Sequence, residues 1–151
     1  MSDLALKRIT VAVDGSKHAD HALTFGIDLA KKYGGALTVV AVAPLVPLYV
    51  SSTEPWVPTE VPESEVSHYR QVLDGAVERA QKEGVASVSG LCLEGVIVDE
   101  LIALLERHPT DLLILGSRGL STAKRLLLGS VSDAVAHHVK CPVLIVREPV
   151  A

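Results

Sequence analysis

The stretch ITVAVDGS at residues 9–16 joins a predicted strand directly to the start of a helix. Residues 9–13 form a short run rich in β-branched side chains, which is typical of a buried strand. The next two residues favour a turn, and Ser16 is a residue type that commonly caps a helix. The residues that follow recur at helical spacing and define one buried face: Ala19, Ala22, Leu23, Gly26, Ile27 and Ala30. The glycine pair at 34–35 ends this helix, so a strand, a turn and an amphipathic helix are predicted in succession.

The rest of the chain repeats this alternation of strands and helices. Further strands are predicted at residues 36–43, 85–93, 111–115 and 143–146, and helices at about residues 66–80, after Gly95 and from about Ser130. Such alternation favours right-handed βαβ units and hence a parallel sheet. The predicted fold class is therefore α/β: a single-domain, doubly wound, mostly parallel five-stranded sheet with helices on both faces, Rossmann-like in form. Residues 44–62 hold five of the eight prolines and are predicted to be an irregular loop.

The composition fits one such domain over residues 1–151. A chain of 151 residues can bury a single core, and its 48% hydrophobic share includes only 3% aromatic residues. The core must therefore consist mainly of valine, leucine, isoleucine and alanine, which suits a parallel sheet covered by helices. The formal net charge of -4 and the lack of a run of Lys or Arg argue against nucleic acid as a partner.

The sequence also bears on the cellular compartment. No apolar run approaches the roughly 20 residues of a membrane span. The opening residues MSD lead into a strand-like segment instead of a signal peptide, so we expect a cytoplasmic protein with no membrane partner. Cys92 and Cys141 have neither CxxC nor zinc-ligand spacing and are expected to be reduced, partly buried thiols.

The loop after the fourth predicted strand is the strongest candidate for a binding site. It reads GSRG at residues 116–119, then nine residues, then GSVS at residues 129–132, where a helix opens. Glycines let backbone N–H groups approach phosphate oxygens closely, and the positive end of a helix dipole favours an anion. In a doubly wound sheet this loop would lie beside the one after the first strand, which brings Asp14 near a ligand. Glycines before a helix also describe an ordinary strand-to-helix turn, so the pattern alone leaves both interpretations open.

The spacing G-x2-G-x9-G-S, within GSRGLSTAKRLLLGSVS at residues 116–132, resembles the ATP-binding signature of universal stress proteins. The resemblance includes ITVAVDGS near the start and CPVLIVR near the end, and it runs from about Arg8 to Arg147. It implies an adenine nucleotide alpha hydrolase-like version of the predicted fold, with ATP as ligand and Mg²⁺ on the triphosphate. One departure is Gly95-Val96-Ile97, where many members carry Gly-x-Pro before the third helix.

The resemblance also implies a set of binding residues, most of them contacting the nucleotide through backbone atoms. The adenine and ribose pocket would be lined by Ala12, Asp14 and Val42. The ribose and phosphates would lie against Gly116, Ser117, Arg118 and Gly119. The phosphate-binding loop would be completed by Gly129, Ser130, Val131 and Ser132. We assign no catalytic residue and no metal-ligating side chain.

The last predicted strand, Val143–Val146, is apolar throughout. It is either an ordinary buried edge strand or one that pairs with its copy across a twofold axis. The resemblance favours the second and implies a homodimer, since an apolar edge strand otherwise risks uncontrolled pairing.

Several alternatives stay open on the sequence. Asp14 can serve only as a turn cap, and Arg118 can be solvated. The histidines lack metal-ligand spacing, and neither a G-x4-G-K-[ST] loop nor a G-x-S-x-G elbow occurs. The leading hypothesis is an ATP-binding regulatory protein of the stress response. One rival is a slow ATPase or self-phosphorylating enzyme that uses a Ser or Thr of the glycine loop. The other is an interaction module that binds either no nucleotide at all or a different one, such as AMP or a cyclic nucleotide.

Overall fold

Five strands and four helices alternate in the part of the chain that the structure describes. The computed structural model describes residues 4–45, 60–118 and 129–148, so most of the predicted irregular loop lies outside the described residues. The elements in order are β1 (Arg8–Ala12), α1 (Lys17–Tyr33), β2 (Ala36–Pro44), α2 (Glu63–Lys82), β3 (Val88–Gly95), α3 (Ile97–Arg107), β4 (Leu112–Gly116), α4 (Ser130–His138) and β5 (Val143–Val146). The predicted alternation of strands and helices is confirmed.

The strands form one sheet in the order β3-β2-β1-β4-β5. Every neighbouring pair is parallel. The chain builds outward from β1 through β2 to β3, then crosses back to place β4 on the other side of β1 and β5 at the far edge. The strand order thus reverses between β1 and β4, and doubly wound sheets bind ligands at the carboxyl ends of the strands beside such a reversal.

Helices cover both faces of this sheet, as predicted. Val39 and Ala41 of β2 pack in a cluster with α1 and α2, whereas Val40 and Val42 pack in a second cluster with α3 and α4. Successive residues of a strand point to opposite faces, so β2 is buried on both sides and its sequence is an unbroken apolar run apart from Thr38.

The ends of α1 follow the predicted signals. Ser16 Oγ accepts a hydrogen bond from Ala19 N–H at 3.2 Å, and Gly34 takes a left-handed φ of +62° after the last turn. A Cβ at Gly26 would lie 2.5 Å from Val11 Cγ2, so glycine lets α1 pack closely on β1. This packing fixes the first turn of α1 at the carboxyl end of the sheet.

Two boundaries differ from those predicted by three residues, and the other strand boundaries agree within two residues. β3 begins at Val88 instead of Val85. Val85 is buried, and its N–H donates to Ala80 O at 3.1 Å, so it closes the end of α2 before the strand begins. α2 itself begins at Glu63, ahead of Val66, the first residue of the predicted apolar face. Apolar spacing identifies buried positions, but hydrogen bonds set where an element starts and ends.

Cys92 and Cys141 are free thiols at half-buried positions. Cys92 packs with the α1 and α2 cluster and Cys141 with the α3 and α4 cluster, on opposite faces of the sheet. Burial raises the pKa of the Cys141 thiol above its ordinary value.

Within the described ranges, no helix combines the length and the apolar character needed to cross a membrane.

Candidate functional site

The turn between β1 and α1 is held by its own side chains. Asp14 Oδ1 accepts from Ser16 N–H at 2.9 Å, and Gly15 has a φ of +85°, in the region that favours glycine. Ser16 in turn caps α1 through Ala19 N–H. The role of Asp14 as a turn cap, one of the two interpretations left open by the sequence, is therefore present in the structure.

α2 covers this turn on one face of the sheet. A Cβ at Gly15 would lie 3.4 Å from Val72 Cγ2, and Tyr69 on the same helix is buried. Burial raises the pKa of Tyr69, and the negative charges of Asp14 and Glu65 raise it further. The Tyr69 hydroxyl is therefore kept neutral near Asp14, a proximity that the apolar spacing of α2 did not predict.

β2 extends past the end of β1 and forms a wall beside the turn. Ala12 pairs with Val40, whereas β2 continues to Pro44 alongside β3. Ala12 and Val42 both pack in the cluster with α3 and α4, and Val42 is buried. The structure thus brings two of the three residues predicted to line the adenine and ribose pocket onto the same face of neighbouring strands.

The backbone of Ser117 joins the two ends of the glycine segment. Its carbonyl oxygen accepts from Gly129 N–H at 2.6 Å and from the Ser132 hydroxyl at 3.1 Å. Its own N–H donates to Val146 O at 2.8 Å. The end of β4, the start of α4 and the end of β5 therefore meet at one residue. The predicted residue Gly119 lies outside the described residues.

Two glycines permit close backbone approaches at this edge, Gly129 to Ser117 and Gly116 to the first turn of α1. A Cβ at Gly129 would lie 2.9 Å from Ser117 O and 3.3 Å from Arg118 Cα. A Cβ at Gly116 would lie 2.8 Å from the carbonyl carbon of His18. Any larger residue would have to push backbone atoms apart, so both positions require glycine for a geometric reason.

The first turn of α4 is the candidate position for an anion. α4 begins at Ser130, and no side chain in the described part of the protein caps it. The first N–H groups of a helix have no partner within the helix and lie at the positive end of its dipole, where phosphate binds. Ser130 is exposed, whereas the buried Ser132 hydroxyl already bonds to Ser117 O and Gly129 O. Ser130 therefore contributes the exposed hydroxyl of this turn, while Ser132 holds the turn in place.

His18 and Glu148 meet Ser117 at the same edge of the sheet. Ser117 Oγ lies 2.8 Å from His18 Nδ1, and Glu148 N–H donates to the same nitrogen at 3.2 Å. His18 Nε2 is 3.6 Å from Glu148 Oε2. No motif joins three residues so far apart in the chain, which is why the sequence did not predict this cluster.

A cavity of about 320 Å³ lies farther along the same edge. It is lined by Leu45, Glu60, Val61 and Glu94. Two carboxylates in its lining repel phosphate, so this cavity is a poor site for the charged end of a nucleotide. The described residues contain no cluster of three or more His, Cys, Asp or Glu side chains able to hold a metal ion.

Comparison with known proteins identifies the family. A family model described as the universal stress protein family matches residues 5–147. A universal stress protein of Methanocaldococcus jannaschii is 31% identical over 146 residues, which are 95% of this chain and 83% of that protein. The chain belongs to the universal stress protein family.

Solved structures of universal stress proteins share this fold. UspA of Lactobacillus plantarum has a TM-score of 0.82 at 20% identity, with 96% of this chain and 100% of that chain covered. A universal stress protein in complex with cAMP has a TM-score of 0.71 at 27% identity, with 96% of this chain and 99% of that chain covered. The predicted fold class and the predicted family are both confirmed.

In this universal stress protein the predicted site residues that the structure describes gather at the carboxyl edge of the sheet. They are Ala12, Asp14, Val42, Gly116, Ser117, Arg118, Gly129, Ser130, Val131 and Ser132. Arg118 and Val131 are half-buried. The contacts of these residues with a nucleotide stay a prediction.

Proposed function

We propose that this universal stress protein binds an adenine nucleotide at the carboxyl edge of its sheet, with the phosphates at the start of α4. The proposed nucleotide is ATP with Mg²⁺, bound by a cytoplasmic homodimer that acts as a stress-response regulator. One observation carries the proposal: Gly129 N–H and the Ser132 hydroxyl both bond to Ser117 O, which holds the start of α4, where no described side chain forms a cap, beside the end of β4.

The start of α4 suits phosphate better than the start of α1 does. In α1, the Ser16 hydroxyl already accepts from the first turn, and the carboxylate of Asp14 lies in the preceding turn. In α4 the cap residue is Gly129, which has no side chain to compete with a ligand oxygen. The exposed Ser130 hydroxyl adds a donor at the same place. The phosphates therefore belong at α4, and Asp14 belongs nearer the uncharged part of the ligand.

The nucleoside would lie on the β1 and β2 side of this point. Ala12 ends β1, and Val42 lies two residues before the end of β2, on the face that α4 covers. Asp14 Oδ1 is used by Ser16 N–H, but a carboxylate has a second oxygen that can accept from a ribose hydroxyl. This arrangement spans the point where the strand order reverses, as nucleotide sites in doubly wound sheets do.

Mg²⁺ would neutralise part of the triphosphate charge. Because the described residues offer no three-ligand cluster, the ion would be held mainly by phosphate oxygens and water. The protein's own contribution would be to fix the phosphates at the α4 N–H groups.

Pairing of two copies along β5 completes the proposal. β5 lies at the sheet edge and pairs with β4 on one side. Val143, Leu144 and Ile145 are only half-buried in the single chain. A second copy would cover these apolar side chains and the open strand edge.

Thermal unfolding with matched ligands tests nucleotide binding. ATP at about 100 times its dissociation constant should stabilise the protein by about 2.7 kcal/mol, and adenosine, which lacks phosphates, should stabilise it far less. A larger effect of AMP or cAMP than of ATP would keep the site and replace the proposed nucleotide. The proposal is wrong if none of these three nucleotides raises the melting temperature.

A further inference from the structure

His18 connects three parts of the chain through one ring nitrogen. It lies in the first turn of α1, and its Nδ1 receives Glu148 N–H at 3.2 Å. A backbone N–H can only donate, so Nδ1 is an acceptor and the neutral ring carries its hydrogen on Nε2. The Ser117 hydroxyl, 2.8 Å from Nδ1, therefore donates to the same nitrogen.

This contact completes the fixation of Ser117. Its N–H and carbonyl oxygen are bonded to Val146, Gly129 and Ser132, and its hydroxyl is bonded to His18. The His18 side chain is only 20% exposed, so water competes weakly for the bond. The acceptor at His18 Nδ1 thus adds a fourth hydrogen bond to the three that hold Ser117 beside the start of α4.

We propose that His18 is a positioning residue of the nucleotide site, which fixes Ser117 against the chain leaving β5. This inference rests on the proposed function. His18 would act through Ser117, whose hydroxyl lies 2.8 Å from its Nδ1. The proposed role needs a hydrogen-bond acceptor at the position of Nδ1. It needs neither an imidazole ring nor a positive charge there.

Two substitutions of His18 separate these contributions. Asn places a side-chain oxygen close to where Nδ1 stands and cannot titrate, whereas Leu removes the acceptor. His18→Leu should weaken ATP binding roughly five- to tenfold, which is the effect of about one hydrogen bond, and His18→Asn should restore most of the affinity. His138→Leu is the matched control, because His138 is exposed in the last turn of α4 and its Nδ1 bonds Ala134 O of the same helix at 2.7 Å, away from Ser117 and Glu148. Its affinity for ATP should stay within about twofold of the wild type.

A second pair of variants tests the Glu148 N–H that donates to His18. This pair keeps the inference testable if His18→Leu does not fold. Glu148→Ala and Glu148→Pro both remove the carboxylate, but only proline also removes the N–H that bonds His18. Glu148→Pro should therefore bind ATP several-fold more weakly than Glu148→Ala.

Isothermal titration with ATP on the full chain gives the readout for all variants. Weak binding by His18→Leu together with rescue by His18→Asn supports the inference. Equal binding by the wild type and His18→Leu overturns it and leaves the proposed function standing, as does His18→Asn binding as weakly as His18→Leu. A wild type that binds no ATP, AMP or cAMP overturns both the proposed function and this inference.

Discussion

Replacing Gly129 by alanine should push the start of α4 away from Ser117. The new Cβ would lie 2.9 Å from Ser117 O, about half an ångström inside the 3.4 Å at which ordinary contact begins. The φ of -63° at Gly129 suits alanine, so the cost is steric and involves no backbone strain. Overpacking of this kind costs about 1–3 kcal/mol, and we expect the free energy of unfolding to fall by that amount.

The same substitution should also weaken nucleotide binding, because the displaced turn carries the N–H groups proposed to hold phosphate. If the dissociation constant rises about tenfold, the stabilisation by ATP at a fixed concentration falls from about 2.7 to about 1.4 kcal/mol. Urea unfolding with and without ATP measures both effects.

Gly75 supplies the matched control for this experiment. It is exposed on α2, and a Cβ there would meet nothing within 4 Å. Gly75→Ala should stabilise the protein by about 0.5–1 kcal/mol through helix propensity and leave the effect of ATP unchanged. A Gly129→Ala variant with wild-type stability and the full response to ATP would refute the steric reasoning.

Three further outcomes are expected. Ser16→Ala removes the cap that accepts from Ala19 N–H and should lower the free energy of unfolding by about 1 kcal/mol in thermal or urea unfolding. Hydrogen bonds from Arg8 lower the pKa of Asp111, so the ionised carboxylate stabilises the fold at neutral pH. This contribution is lost as the pH falls through the folded-state pKa of Asp111. The difference in free energy of unfolding between the wild type and Asp111→Asn should therefore become smaller in urea unfolding at lower pH. Ile145→Lys puts a charge on the half-buried edge strand and should convert the proposed homodimer to a monomer in light scattering, whereas a wild type that is already monomeric would contradict the dimer.

Most of the fold could be predicted because its signals are local. Ser16 and Gly34 mark the ends of α1 through preferences of single residue types, and the apolar run of β2 reports burial on both faces. The predicted start of β3 at Val85 was wrong by three residues. An apolar residue that closes a helix cannot be told from one that starts a strand by sequence alone.

The candidate site could be predicted only in part. The glycine spacing located the loop, since glycine is the one residue type that permits the approach of Gly129 to Ser117. The acceptor that joins the two ends is a backbone carbonyl, which every residue has, so nothing in the sequence singled out Ser117 O. The contact of His18 with Glu148 arises from the strand order, which places the end of β5 beside the start of α1, and no local pattern encodes it.

The central claim is that nucleotide phosphates lie at the start of α4, and amide chemical shifts in a titration with ATP and with adenosine test it most directly. ATP should shift the backbone N–H resonances of Ser130 and Val131 strongly, adenosine should shift them little, and the capped N–H of Ala19 in α1 should respond weakly to both. ATP binding that leaves the Ser130 and Val131 resonances unchanged would contradict the account.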